Sequence, residues 1–109
     1  MAETLFLAFS NPADPNKEDE FNEWYDQHHI PQLLEHVPGF ISAQRFRLDS
    51  AQLPHRYLAI YEVQGEPDAV MKDLRERGAD GSVEISPLLQ RDPAPIAIFV
   101  TAMGAKITA

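Results

Sequence analysis

Apolar positions along this chain follow two periods, and the switches between them predict the order of elements. In residues 4–10, Leu5, Leu7 and Phe9 alternate with Phe6 and Ala8, so both faces of a strand are apolar and burial on two sides is expected. The turn-rich run from Asn11 to Asn16 then delivers the chain to a helix, with Asn16 as the expected N-cap and Asp19 at the capping-box position. On a 3.6-residue wheel Phe21, Trp24, Tyr25 and His28 share one arc, while Glu20, Asn22, Glu23 and Gln27 fall largely elsewhere. Pro31 lacks a backbone donor and disfavours helical geometry at Ile30, which predicts a kink or restart around His29–Pro31 before the helix ends near His36.

Pro38-Gly39 breaks the helix, and a second strand is expected over residues 40–48, with Phe40, Ser42, Gln44 and Phe46 opposing Ile41, Ala43 and Arg45. Residues 49–55 read as a polar hairpin loop that leaves His55 exposed, as His36 is expected to be at its helix end. A third strand apolar on both faces follows over residues 56–63 and carries Tyr61. A second, short amphipathic helix is bounded by Pro67 at its first position and Gly78 just past its end. Residues 78–95 have no regular period, as in a lid, arm or functional loop, with Val83, Ile85, Leu88 and Leu89 available for burial. Residues 96–101 form the last strand, and residues 104–109 a tail docked on a neighbour or on the sheet edge.

The order β-α-β-β-α-β is the split βαβ, or ferredoxin-like, arrangement: an α+β fold with a four-stranded antiparallel sheet. Two helices cover only one face of such a sheet. Because several strands are apolar on both faces, the other face needs a partner, and the simplest is the same face of a second copy, which predicts a homodimer.

Composition narrows the function classes. With 109 residues the chain is a single domain, 1–109. A formal net charge of −8 without a basic cluster argues against nucleic acid or an anionic membrane as partner. The absence of cysteine removes disulfides, thiolate ligands and cysteine nucleophiles. The N-terminal apolar run has no basic region before it and is short, so it reads as a strand, and a soluble cytoplasmic protein is expected. Glycine-rich phosphate loops, nucleotide fingerprints and Gly-x-Ser-x-Gly elbows are absent. Adjacent histidines point about 100° apart on a helix, so His28 and His29 do not chelate one ion, and no metal site is expected.

His29 is the main candidate for acid/base work, since an imidazole exchanges protons near neutrality without a large shift. Tyr25, four residues earlier, is placed to donate a hydrogen bond to a ligand oxygen, and Phe21 and Trp24 to supply apolar walls. His28, Arg45 and Tyr61 complete the candidate ligand-binding set. Each has a plainer reading: the aromatic residues as core, His28 as a core histidine, and Arg45 and Glu62 as paired or edge charges.

The run Phe21, Trp24, Tyr25, His29, Pro31, followed by Pro38-Gly39-Phe40, Ala43 and Arg45-Phe46, resembles the signature of the EthD-like branch of the dimeric α/β-barrel superfamily. It covers about the first half of the chain directly. The resemblance implies a dimeric α/β barrel and selects His29 over His28, since the family histidine stands two residues before the proline. It includes Arg45 without giving its role. Activities among such relatives include isomerases, cyclases, dehydratases, cofactor-free monooxygenases and accessory proteins. Some dimeric α/β-barrel relatives bind haem through a helical histidine; the EthD-like pattern does not itself indicate haem, and no cofactor is expected.

Two functions of different class follow. One is a cofactor-independent enzyme acting on a small apolar aromatic or polyketide-like carbonyl or phenol, with His29 as general acid/base. The other is a non-catalytic binding or accessory protein for a hydrophobic metabolite. A purely structural dimer would show a packed core and no cavity beside His29.

Overall fold

The structure is a computed structural model and describes residues 3–109. Its elements are β1 (Thr4–Ser10), α1 (Glu18–Trp24), a π-helical turn (Tyr25–His29), α2 (Ile30–His36), β2 (Phe40–Arg47), β3 (Tyr57–Val63), α3 (Pro67–Asp80) and β4 (Ile96–Thr101). The strands form one antiparallel sheet in the order β2-β3-β1-β4. This is the expected α+β, ferredoxin-like topology. No helix among the described residues is long and apolar enough to cross a membrane.

Strand register sorts the side chains into rows. On the face beneath the helices, Ala43, Tyr61, Phe6 and Phe99 align across the four strands, and next to them Arg45, Ala59, Ala8 and Ala97. Three adjacent alanines leave the sheet surface low at that row, between bulkier neighbours. The opposite face carries Gln44, Ile60, Leu7 and Ile98 in one row and Phe46, Leu58, Phe9 and Ile96 in the next. Among the described residues no element covers that face, and Phe46, Ile96, Ile98 and Val100 are exposed on it. The expected alternation along β2 fails at its start, because an irregularity between Phe40 and Ser42 gives the strand one extra residue. The bulge returns Phe40 to the helix side, where it stacks on Tyr61 at 4.9 Å.

The first helix departs from its predicted form in two ways. Asp14, rather than Asn16, caps the start: its carboxylate accepts from the Asn16 backbone N–H at 2.9 Å and opens a short 3-10 turn over Pro15–Lys17. The restart expected around His29–Pro31 is found at Ile30, and it is prepared by a π turn in which the Ile30 N–H reaches back five residues to the Tyr25 carbonyl. Pro31 then lies in the first turn of α2, where its missing donor costs least. The extra residue per turn changes the wheel. His29 comes under Trp24 and Tyr25, and His28, expected on the aromatic arc, is exposed.

Three further expectations are corrected. The helix α3 runs through Gly78 to Asp80 and stops at Gly81, whose φ of 85° is the left-handed conformation a helix end favours. His55 is buried rather than exposed: its Nε2 lies 2.9 Å from the Ala94 carbonyl and ties the β2–β3 connection to the segment before β4. Of the two placements expected for residues 104–109, the sheet edge is not taken up: Ala102 N still donates to Glu3 O at 2.7 Å, but the residues beyond it are exposed, Met103 and Ile107 fully so.

The irregular segment after α3 is fastened rather than free. Leu88 O accepts from Ala13 N at 2.7 Å, Asn11 O accepts from Gln90 N at 2.9 Å, and Gln32 Oε1 accepts from Glu84 N at 2.9 Å. Buried Asn11 joins three loops by donating to Pro54 O and Gln90 Oε1 and accepting from Arg56 N. Val83 is buried by this arrangement, while Ile85 stays exposed.

Gly39 marks a close approach between the start of β2 and α3. A Cβ there would lie 2.5 Å from Val70 Cγ2 and 3.1 Å from Gln64 O. Gly39→Ala is therefore expected to destabilise the fold by about 1–3 kcal/mol, read by urea denaturation, because α3 has to move off the β2 start.

Candidate functional site

Between the helices and the alanine row lies a cavity of about 430 Å³. Its floor is Phe6, Ala8 and Ser10 of β1 with Ala97 of β4; Tyr25, His29 and Leu33 form one wall and Leu74, Gly78 and Ala79 of α3 another. Tyr61 enters from β3, and Val83, Ile85, Leu89 and Pro95 close the side formed by the irregular segment. The volume suits a compact organic ligand. Polar side chains are few in this lining: Ser10, Tyr25, His29, Tyr61 and Arg75.

Each polar group there is held by packing. His29 stacks on Trp24 at 4.6 Å between ring centroids with 24° between planes, and meets Tyr25 edge-on at 4.8 Å and 75°. The Trp24–His29 spacing of five residues is one that the wide π turn, unlike a 3.6-residue helix, brings to one side. Trp24 in turn packs edge-on against Tyr25 at 5.6 Å. The His29 Nδ1 and the Tyr61 hydroxyl are both buried without a hydrogen-bond partner. Such orphaned groups cost about 1–3 kcal/mol each when left unpaired.

Ionisation follows burial. Desolvation lowers the His29 pKa from 6.5 to about 4; a backbone interaction with Glu84 opposes the shift and the positive field of Arg45 adds to it. The ring is therefore neutral at pH 7, unlike the imidazole titrating near neutrality expected from residue type. Burial raises the Tyr25 pKa, opposed by Tyr61, Arg45 and Ser10. Tyr61 is raised well above the ordinary phenol value, by desolvation and then by Tyr25. Both phenols keep their protons. The two hydroxyls lie close enough to shift one another's ionisation, yet Tyr61 completes no hydrogen bond of normal geometry.

Of the seven residues singled out from the sequence, the structure brings Tyr25, His29 and Tyr61 together on the cavity. Phe21, Trp24, His28 and Arg45 do not line it. Phe21 is fully buried in the core beside Trp24 and Tyr25, and Trp24 backs His29. His28 is exposed on the far side of the helix for the reason given above. Arg45 sits behind Tyr25, its guanidinium 4.5 Å from that ring's centroid and 5.1 Å from Tyr57's. It donates to Asn22 Oδ1 at 2.8 Å and pairs with Asp26 at 3.1 Å, so it is the paired charge of the plainer reading. Asn22 also donates to Tyr57, whose hydroxyl bonds Glu18, which pairs with Arg56; the network staples α1 to the sheet. Sequence reasoning missed Ser10, although the inward series Phe6, Ala8, Ser10 continues the strand alternation to it. It also missed Arg75 of α3, which contributes to the lining. Among the described residues no three His, Cys, Asp or Glu side chains gather as a metal site.

Comparison with known proteins finds no matching family model and no matching curated protein. Solved structures do match over almost the whole length. An ethyl tert-butyl ether D (EthD) family protein from Bacillus halodurans superposes with a TM-score of 0.61 at 16% identity, covering 94% of this chain and 100% of the other. HapK from Hahella chejuensis gives 0.60 at 12% identity, covering 97% and 98%. A dimeric ferredoxin-like protein of unknown function from Thermobifida fusca gives 0.53 at 15% identity, covering 93% and 92%. The chain thus shares the fold of EthD-like and dimeric ferredoxin-like proteins.

Proposed function

We propose that the protein is a small-molecule enzyme performing proton transfer on a compact, mostly apolar carbonyl or phenol compound in the cavity beside His29. The observation that carries this reading is that His29 and Tyr61, each with a buried polar atom lacking a hydrogen-bond partner, both line an otherwise apolar 430 Å³ cavity. A substrate carbonyl oxygen would accept from Tyr61 and Tyr25, whose raised pKa values keep them donors. Neutral His29 would accept the proton from the adjacent carbon, and the electron pair would move onto the oxygen as an enolate held by the phenols. Return of the proton to a different carbon gives isomerisation, and attack of the enolate on a second carbonyl gives cyclisation. Apolar walls would strengthen the hydrogen bonds by excluding water.

One observation favours the second reading, a carrier of hydrophobic metabolites without chemistry: a histidine with a pKa of about 4 is a weak base at pH 7. Proton exchange separates the two. With 2-tetralone as probe in deuterium oxide, an enzyme of this kind speeds deuterium incorporation at the carbon next to the carbonyl, followed by NMR, and His29→Ala loses the effect. Binding of the probe without faster exchange would leave the carrier.

The functional unit in this reading is a homodimer joined through the uncovered sheet face. Its support is the apolar rows around Leu7, Ile60 and Ile98, with Phe46, Ile96, Ile98 and Val100 exposed on the uncovered face, together with the structural neighbour described as dimeric. Ile98→Asp places an unpaired carboxylate in the middle of that face. The dissociation constant is expected to rise by about 100-fold or more, read by light scattering on a sizing column. A variant as dimeric as the parent would remove this interface.

A further inference from the structure

Arg75 stands apart from the other charges of the cavity region. It is exposed and yet contributes to the cavity lining, which places it at the mouth. It is the one lining residue that carries a charge at neutral pH, since His29 is neutral and no Asp or Glu lines the cavity. Its position on α3 gives it no carboxylate one turn away: Met71 and Lys72 precede it at that spacing and Gly78 and Ala79 follow. The neighbouring Arg77 differs, pairing with Asp80 at 3.2 Å and Glu76 at 3.9 Å. Among the described residues Arg75 forms no ion pair and no hydrogen bond. In a chain with 17 acidic and 9 basic residues, a cation without a partner at the rim of an apolar cavity is unusual. The small side chains of Gly78 and Ala79 beside it keep the mouth clear.

We propose that the ligand of this cavity is an amphiphile with a carboxylate, held by Arg75 at the mouth while its apolar body fills the cavity and its carbonyl or phenol oxygen meets Tyr25, Tyr61 and His29. The inference rests on the reading of the cavity as a small-molecule site and adds the charge of the substrate class. A guanidinium presents paired donors that match a carboxylate in two parallel hydrogen bonds. The net charge of −8 repels anions from the protein as a whole, so the local cation at the mouth supplies the selectivity the rest of the surface denies. An uncharged ligand of the same shape would leave Arg75 in water with nothing to read.

The test uses a matched pair of probes, 6-hydroxy-2-naphthoate and 6-hydroxy-2-naphthamide, titrated calorimetrically into the full chain and into Arg75→Gln. The acid is expected to bind about fivefold or more tightly than the amide at low ionic strength, with the preference shrinking as salt is added. In Arg75→Gln the preference disappears while the amide binds as before. A preference that survives the substitution would mean the carboxylate sits at the tyrosine end and would overturn the proposal. Equal binding of both probes to the unaltered protein would overturn it too, leaving the cavity reading intact. Failure of both probes to bind would remove both readings together.

Discussion

His29→Ala is expected to lower turnover by about 10²–10⁴-fold, the range that loss of a positioned proton acceptor usually costs, while the fold and the helix packing persist. The same substitution has a second readout that requires no substrate. The folded protein holds His29 neutral down to about pH 4, whereas the unfolded chain protonates it near 6.5. Between those values the unfolded state binds more protons, so this group's contribution is fully present above pH 6.5 and is lost as pH falls toward 4. The full window corresponds to about 3 kcal/mol at most. Urea denaturation at several pH values, with the parent and His29→Ala compared pairwise, isolates the contribution because the carboxylates titrate in both. The variant should lose less stability on acidification than the parent. Parallel pH profiles would show that the imidazole is not desolvated in the folded state, and the account of a neutral acceptor would fail.

The second large effect is expected at Tyr61, and it has opposite signs on stability and activity. Its hydroxyl is buried beside the Tyr25 hydroxyl without completing a hydrogen bond of normal geometry, so Tyr61→Phe removes a poorly satisfied polar group and keeps the ring stacked on Phe40. The fold should gain about 1–2 kcal/mol, read by thermal or urea unfolding. Turnover should fall by about 10²–10³-fold, because the donor aimed at the developing oxyanion is gone. A variant that is both less stable and fully active would show that the hydroxyl serves the core rather than a ligand. Polar groups stored unsatisfied in the free protein are one way a site gives up stability for preorganisation.

Much of the fold was legible in residue pattern. The four strands and the two helical regions follow from apolar periods and from Pro and Gly at their ends, and β1 and β4 begin and end where the pattern places them. The uncovered apolar face was legible too, since residues of alternate parity on β1, β3 and β4 are apolar whichever way the strand is turned. Local interactions within a few residues carry that information. Helix boundaries were less legible where two signals compete: Gly78 looks like a stop, but the helix tolerates it and ends at Gly81, where a left-handed residue is needed.

The site divides along the same line. His29, Tyr25 and Tyr61 are residue types suited to proton transfer, and the sequence names them. What brought them together is the π turn, which has no side-chain signature on a 3.6-residue wheel and which moves His29 inward and His28 out. The hollow itself has Ala8 and Ala97 on its floor, neighbours in one row although they come from different strands. The ionisation states were equally out of reach, because the neutral imidazole at pH 7 follows from burial under an irregular segment fastened through Asn11, Ala13 and Gln32. Sequence by itself therefore determined the elements, their order and the chemical repertoire, all of which depend on neighbours along the chain. The cavity, its two unsatisfied polar groups and the exposed Arg75 at its mouth were decided only by tertiary packing, because they depend on residues that meet through strand register and helix phase.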